Sequence, residues 1–458
     1  MTRTNNASTE PQHRVLESGL NIYVIPRDSP QLAVQLYTPF GSDILTYEDN
    51  ESGKRLSVQP GSAHYFEHVL FIMPPLGKNG RPIIYKTKTP KTKKDLRDGL
   101  TELKRLGATS PNAYTWNDVT NYHFETTENK MECLDTLLGF VFAPYLPQDR
   151  FRAETGTILN EAQRSLNDAS ELVDIEWHKQ AFHVHGARLP VIGTLESIPK
   201  ISIEDVLQMH DIFYRPSNMT LMIVGSANID EISGIADARL RSLGRNKYRS
   251  PPRHVDQQEP EHIAVKNNFM HPIERDDIVR PELMMGWKYV LNPDKMNREQ
   301  IIDTHLGAMF IGQMLCGSGS YGREELIAQG ADDRTTGSSS LGFFDHGEIL
   351  VFSESDMPHS IEGMIRSYAS KKSSEGFSSE EIEAARSKLL LHQNDITQEV
   401  LGTYVFALSR WGAVTGSPLS YFEAMKRIET ITRDEINSWA GAMLQDQKYT
   451  SVLCIPKK

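Results

Sequence analysis

The sequence predicts an α+β protein made of two homologous halves, and three observations support this fold class. Two segments that mix β-branched and aromatic residues, Gly19–Ile25 and Gln31–Tyr37, predict strands near the start of the chain. Two later segments, Ile201–Gly225 and Ile431–Ile455, each predict a helix, a polar turn and an apolar strand. Between them, Arg245–Pro260 is rich in proline and charge and lacks apolar periodicity, which is typical of a linker.

The repeat is aligned without a gap at an offset of 230 residues (431 − 201). Ser202 and Thr432 occupy the N-cap position of their helices, and acidic residues follow in the first turn, where they favour helix formation. The alternative is chance similarity, because the halves share a pattern rather than identical residues. We therefore predict an N-terminal domain of residues 14–244, a linker of residues 245–262 and a C-terminal domain of residues 263–458.

Composition excludes several classes of protein. The 458 residues are 39% hydrophobic and 24% charged, as in ordinary globular proteins, and the net charge of -11 argues against a nucleic-acid binder. Residues 1–13 lack the apolar run of a signal peptide, and no stretch approaches the roughly 18 apolar residues that cross a bilayer. The three cysteines are far apart in sequence and predict buried free thiols. We expect a cytoplasmic protein that binds neither nucleic acid nor membrane.

A metal-binding pattern lies in Gly61–Met73, which contains the order H-x-x-E-H. His64 and His68 are four residues apart, so that on a helix they share one face and can bind one zinc ion. Glu67 can reach a metal-bound water as the general base. The alternative is a helix with two exposed or hydrogen-bonded histidines.

A third zinc ligand is needed from elsewhere in the chain. Phe151–Asp168 predicts a helix, and Glu154 and Glu161 lie two turns apart beside its apolar face. Buried carboxylates are costly unless they are paired or bind metal, so this pair suggests a site. The alternative, that both carboxylates lie at the edge of the apolar stripe and reach water, would be the better interpretation if the helix stood alone.

Other features carry weaker signals. Residues 78–97 contain eight Lys or Arg and one acid, which predicts a solvated insertion rather than a flap near the active site. Gly317, Gly319 and Gly322 follow a segment with helical spacing, so a dinucleotide site is not indicated. Four further histidines could be metal ligands on composition alone, but none has ligand spacing with a carboxylate, so they are interpreted as ordinary surface or core residues: His123, His178, His183 and His185.

Taken together, the HYFEH motif, the sequence NAYT at Asn112–Thr115 and the sequence ETGTILNE at Glu154–Glu161 resemble the pitrilysin or inverzincin metallopeptidases. The resemblance covers nearly the whole chain and is closest to half-length bacterial members; the family also includes the mitochondrial processing peptidase. It implies that His64, His68 and Glu161 bind Zn2+ and that Glu67 is the general base. It also implies that Glu154 is an additional active-site carboxylate outside the ligand set.

The resemblance further implies the architecture and the substrate. Each half is expected to be a mainly antiparallel sheet with helices on one face, the halves are expected to enclose a cavity, and the C-terminal half is expected to lack a metal site. An extended peptide would bind the sheet edge formed by the SPNAY segment, through Ser110, Asn112, Ala113 and Tyr114. Short or unfolded peptides are then the expected substrates, and a non-catalytic scaffold or peptide-binding subunit on the same fold is the alternative.

One family feature is missing from this sequence. An arginine and a tyrosine seven residues apart usually grip the peptide from the second domain, but Arg323 is followed seven residues on by Gly330, and Arg334 by Leu341. The absence predicts a homologous second subunit that supplies the pair. A homodimer, or a monomer in which other residues position the substrate, is the alternative.

Overall fold

The computed structural model describes residues 10–74, 97–255, 260–398 and 400–457. The chain forms two compact units. Unit 1 comprises residues 1–162, 190–256 and 396–413, and unit 2 comprises residues 163–189, 257–395 and 414–458. Unit 1 thus includes residues 396–413 from the C-terminal half, and unit 2 includes residues 163–189 from the N-terminal half. The predicted division at residues 245–262 has no such segments. That division into domains stays a prediction.

The strands and helices are numbered in chain order. The strands are β1 (Gln12–Val15), β2 (Asn21–Pro26), β3 (Leu32–Thr38), β4 (Thr46–Asp49), β5 (Lys54–Ser57), β6 (Ile72–Met73), β7 (Arg97–Asp98), β8 (Thr109–Thr115), β9 (Thr120–Thr126), β10 (Thr220–Gly225), β11 (Arg253–His254), β12 (Met270–Arg275), β13 (Glu282–Val290), β14 (Gly337–Gly342), β15 (His346–Glu354) and β16 (Tyr449–Pro456). The helices are α1 (Ser62–Leu70), α2 (Gly99–Arg105), α3 (Lys130–Phe142), α4 (Gln148–Asn167), α5 (Ala169–Ala181), α6 (Ile203–Phe213), α7 (Ile229–Ser242), α8 (Arg298–Cys316), α9 (Tyr321–Ala328), α10 (Pro358–Glu375), α11 (Ser379–Gln398), α12 (Leu401–Thr415), α13 (Ser420–Thr430) and α14 (Arg433–Met443).

The main sheets of the two units share five strands in the same arrangement, and β1 is an additional strand at one end of the sheet of unit 1. The order in unit 1 is β1-β2-β10-β3-β9-β8, and the order in unit 2 is β12-β16-β13-β15-β14. The strand that comes last in the chain pairs in parallel with the first of these five strands: β10 with β2 in unit 1, and β16 with β12 in unit 2. All other pairings among the five strands are antiparallel. The predicted α+β class with mainly antiparallel sheets is therefore confirmed.

The repeat at an offset of 230 residues extends to individual elements. Helices α6 and α14 begin and end 230 residues apart, and each starts with a capping box, formed by Ser202 with Asp205 and by Thr432 with Glu435. A 3-10 turn follows each helix, again at the same offset, and then β10 or β16. Equivalent side chains thus satisfy equivalent backbone donors in the two copies.

The structure describes part of the predicted linker. Within it, β11 pairs with β4 of unit 1, while residues 256–259 lie outside the described part of the chain. The basic insertion also lies outside the described residues, apart from Arg97 at the start of β7. The three cysteines are buried free thiols, as predicted. None of the described helices combines the length and apolar composition that a bilayer span requires.

Candidate metal centre

Helix α1 carries the H-x-x-E-H motif, and the backbone at Gly61 sets where it begins. Gly61 has a φ of 84°, and a Cβ atom there would lie 2.4 Å from the carbonyl oxygen of Ile192. Only glycine allows this close approach in a left-handed conformation. Apolar side chains of α1, among them Phe66 and Val69, are fully buried in the core of unit 1. The helix is therefore fixed at its start and along one face.

Three potential ligands converge at the exposed side of α1. His64 Nε2 lies 3.9 Å from one carboxylate oxygen of Glu161, and His68 Nε2 lies 3.5 Å from the other. The histidine rings are tilted, with centroids 4.7 Å apart. One nitrogen or oxygen of each residue lies within 4.8 Å of the others. Tetrahedral ligands with bonds of 2.0–2.1 Å lie about 3.3 Å apart, so small side-chain adjustments would let one zinc ion bind all three.

The hydrogen-bonding state of His64 supports this fit. Its Nδ1 is buried without a partner among the described residues, and its Nε2 is too far from Glu161 for a hydrogen bond. Burial, followed by the neighbouring His68, lowers the pKa of His64 to about 3, so its imidazole is neutral. A neutral imidazole with an unpaired Nε2 is the form that binds a metal ion. The donor set of two imidazoles and one carboxylate suits zinc.

Glu154, which is on α4 like Glu161, lies behind His68. Its Oε2 is 3.6 Å from His68 Nδ1, the nitrogen that faces away from Glu161. Burial alone would lower the pKa of His68, but Glu154 and the charges of Glu67 and Glu161 raise it. In metal sites, a carboxylate in this position orients the imidazole ligand.

Helices α1 and α4 are joined directly by Tyr65, within the same motif. Its buried hydroxyl donates to the carbonyl oxygen of Phe151 at 2.8 Å and lies 2.7 Å from Thr155 Oγ1. This contact fixes the spacing between the helix that carries the two histidines and the helix that carries Glu161. Sequence reasoning did not single out Tyr65, because a tyrosine between two histidines has no spacing signal of its own.

Glu67 is only 8% exposed, although it is adjacent to His68. Its Oε2 accepts a hydrogen bond of 2.8 Å from the Thr115 hydroxyl. Burial raises the pKa of Glu67 to about 7, against the opposing effect of the Thr115 hydrogen bond. A carboxylate with a pKa near neutrality can accept a proton and later release it.

The four residues expected to bind substrate lie on β8, the last strand in the order of its sheet. Ser110 has a φ of 49° within an irregularity of the pairing with β9, whereas residues 112–115 are regularly paired. Asn112 is exposed, Ala113 is buried, and the Tyr114 ring packs on Phe406 of α12 with centroids 5.6 Å apart. Among the described strands, the structure thus places these residues at the edge of the sheet of unit 1, and their role in binding peptide stays a prediction.

Some histidines interpreted as ordinary residues have defined partners. In unit 2, His178 Nε2 lies 3.0 Å from Glu348, and His185 Nε2 lies 3.2 Å from Asp345. These carboxylates are distant in sequence, so no local spacing could have indicated them. The segment before the glycines at 317–322 is helical, as predicted, and forms the end of α8.

Comparisons with known proteins agree with this fold. Residues 200–389 match the family described as "Peptidase M16 inactive domain". The uncharacterized zinc protease YmfH of Bacillus subtilis is 24% identical over 97% of this chain and 96% of its own length. The beta subunit of human mitochondrial-processing peptidase is 24% identical over 51% of this chain and 44% of its own length. A crystal structure described as an M16-like peptidase from Alicyclobacillus acidocaldarius superposes with a TM-score of 0.83, at 22% identity, over 98% of both chains.

These matches confirm the predicted resemblance: over nearly its whole length the chain is similar to a protein named a zinc protease and to one described as an M16-like peptidase. Three relatives, matched over the whole chain or part of it, are named zinc proteases. The match described as inactive begins at residue 200, after the last residue of the metal cluster.

Proposed function

We propose that this chain is a zinc-dependent endopeptidase that hydrolyses short or unfolded peptides. The observation that carries the proposal is the convergence of His64, His68 and Glu161 beside the buried carboxylate of Glu67. The names of the relatives support it. The alternative, a non-catalytic scaffold on the same fold, gives no reason for three potential zinc ligands to converge next to a buried carboxylate of raised pKa.

Each residue has a role in the proposed reaction. A bound zinc ion would supply an activated water molecule and polarise the scissile carbonyl. Glu67 takes a proton from the attacking water and passes it to the leaving amine. Glu154 holds the His68 ring so that Nε2 faces the metal position. The edge of β8 aligns the peptide by main-chain hydrogen bonds, which demand little of the substrate sequence.

The test compares Glu67→Gln with the wild-type chain. Gln has nearly the same shape and cannot accept the proton, so we expect about one zinc per chain but a loss of peptide hydrolysis of at least about 100-fold. Glu132→Gln, an exposed substitution on α3, is the matched control and should leave both properties unchanged. Zinc is measured by atomic absorption and hydrolysis with a mixed pool of unstructured peptides. Near-normal turnover by Glu67→Gln would refute the role of the base.

We further propose that a homologous subunit completes the site. Arg323 is engaged with Asp333, and Arg334 is exposed and paired with Asp332, so each has an acidic partner on its own unit. A peptide without donors opposite the metal loses positioning, which can be worth several powers of ten in rate. We expect weak activity from the chain alone and much higher activity with a homologous chain that lacks H-x-x-E-H.

Assays of the isolated chain, with and without that candidate subunit, decide between the arrangements. Full activity of the isolated chain that no partner changes would leave the homodimer or the self-sufficient monomer. Sedimentation of the same samples separates these two outcomes. The cytoplasmic location stays a prediction from the sequence.

A further inference from the structure

We propose that Thr115 is a positioning residue that connects the substrate-binding edge to the general base. This inference rests on the proposed function, because it concerns the role of Glu67. The Thr115 hydroxyl donates to Glu67 Oε2 at 2.8 Å, and the two side chains are 7% and 8% exposed. A buried carboxylate held by one hydroxyl takes up the orientation that this hydroxyl allows.

No second donor replaces Thr115 among the described residues. The nearby hydroxyls of Tyr122 and Tyr214 hydrogen-bond each other at 3.0 Å, and neither makes a hydrogen bond to Glu67. Glu67 Oε2 is therefore fixed by Thr115, and Oε1 is the oxygen that remains to take the proton from water. Loss of the hydroxyl would leave the carboxylate buried without a hydrogen bond, and it would then turn towards any other donor.

Thr115 is itself firmly placed. It is the last residue of β8 and pairs with Thr120 of β9, whose hydroxyl donates to the carbonyl oxygen of Phe40 at 2.7 Å. The Thr115 and Thr120 hydroxyl oxygens are 3.5 Å apart. Because β8 is the free edge, the strand that would receive the peptide also holds the base. Addition of a peptide to this edge would steady both at once, so substrate binding and base alignment are coupled.

The test separates positioning from a general structural effect. Thr115→Val keeps the shape of the side chain but removes the donor; we expect a 10- to 100-fold fall in kcat, a KM within about twofold and an unchanged zinc dissociation constant. Thr115→Ser restores the donor and should recover most of the turnover. Thr101→Val, an exposed substitution on α2, is the matched control and should behave as wild type.

A double variant provides an independent measurement. In a Glu67→Gln background the base is already lost, so Thr115→Val should cause no further fall in the residual rate. Thr115→Ala serves as a second donorless variant if the valine is poorly accommodated, and unfolding temperatures are recorded for all variants. Wild-type kcat in Thr115→Val or Thr115→Ala, or a loss of kcat that serine does not rescue, would overturn the inference.

The outcome can be distinguished from failure of the proposed function. If the wild-type chain with its partner hydrolyses no peptide, or if Glu67→Gln retains activity, the proposed function fails first. If Glu67→Gln is inactive while both donorless variants are fully active, only the role of Thr115 is wrong.

Discussion

Raising the pH from 6.5 to 9 should destabilise unit 2, because a buried histidine there loses its charge. His178 of α5 is 12% exposed and lies between the carboxylates of Glu348 and Asp174, at 3.0 and 3.6 Å. Burial alone would lower the pKa of His178, but the charges of these two residues and their hydrogen bonds raise it to about 10. In the unfolded chain the pKa is about 6.5.

The sign follows from these two values. A pKa that is higher in the folded state gives stability that is fully present below about pH 6.5 and is lost as the pH rises towards 10. Each pH unit in this window corresponds to at most about 1.4 kcal/mol, which gives an upper limit of about 3 kcal/mol between pH 6.5 and 9. Because His178 keeps some contact with water, we expect on the order of 2 kcal/mol.

Urea unfolding followed by tryptophan fluorescence measures the effect, since Trp177 and Trp287 are buried in unit 2. His178→Gln removes the titration, so the difference in unfolding free energy between this variant and wild type should shrink as the pH rises. His392→Gln, an exposed substitution on α11, is the control and should follow the wild-type curve. A difference that stays constant to within about 0.5 kcal/mol from pH 6.5 to 9 would mean that His178 is not charged in the folded chain.

Three further outcomes are expected. Glu161→Gln should weaken zinc binding more than 100-fold by isothermal titration, because a neutral ligand replaces an anionic one, and full zinc occupancy would remove Glu161 from the ligand set. Glu154→Gln should weaken zinc binding by only about 10- to 100-fold, and an effect as large as that of Glu161→Gln would make it a ligand. Lys288→Met should destabilise the chain by about 3–5 kcal/mol in urea unfolding, because the buried Glu261 carboxylate would lose its cationic partner. In the wild-type chain, Lys288 Nζ lies 2.6 Å from Glu261 Oε1. A change below about 1 kcal/mol would contradict this prediction.

Local sequence patterns predicted those parts of the fold whose signals lie within one element. The N-cap residues Ser202 and Thr432 and their first-turn acids indicated two helices, and both helices form with the expected caps. The four-residue spacing of His64 and His68 predicted one helix face, and α1 has that arrangement. In each case the physical cause is local, either a backbone donor satisfied within one turn or the period of the helix.

Contacts between distant segments could not be predicted in this way. The bond from Thr115 to Glu67 spans 48 residues, and the contact of His178 with Glu348 spans 170 (348 − 178). Neither contact produces a spacing pattern that could be recognised in the sequence. The assignment of residues 163–189 to unit 2 and of residues 396–413 to unit 1 also depends on tertiary packing. The local sequence of these helices does not indicate the unit to which they belong.

The duplicated fold explains why the proposed chemistry is confined to one half. Both units contain the same strand order, and each has a strand at the matching free end of its sheet, β8 in unit 1 and β14 in unit 2. The helix after β13 carries a single histidine, His305, with Met309 four residues on, and His305 Nδ1 is hydrogen-bonded to the Tyr289 hydroxyl at 2.8 Å. One imidazole that already bonds a tyrosine cannot form the paired ligand face of α1. Unit 2 therefore retains the end strand of its sheet without the H-x-x-E-H face of unit 1.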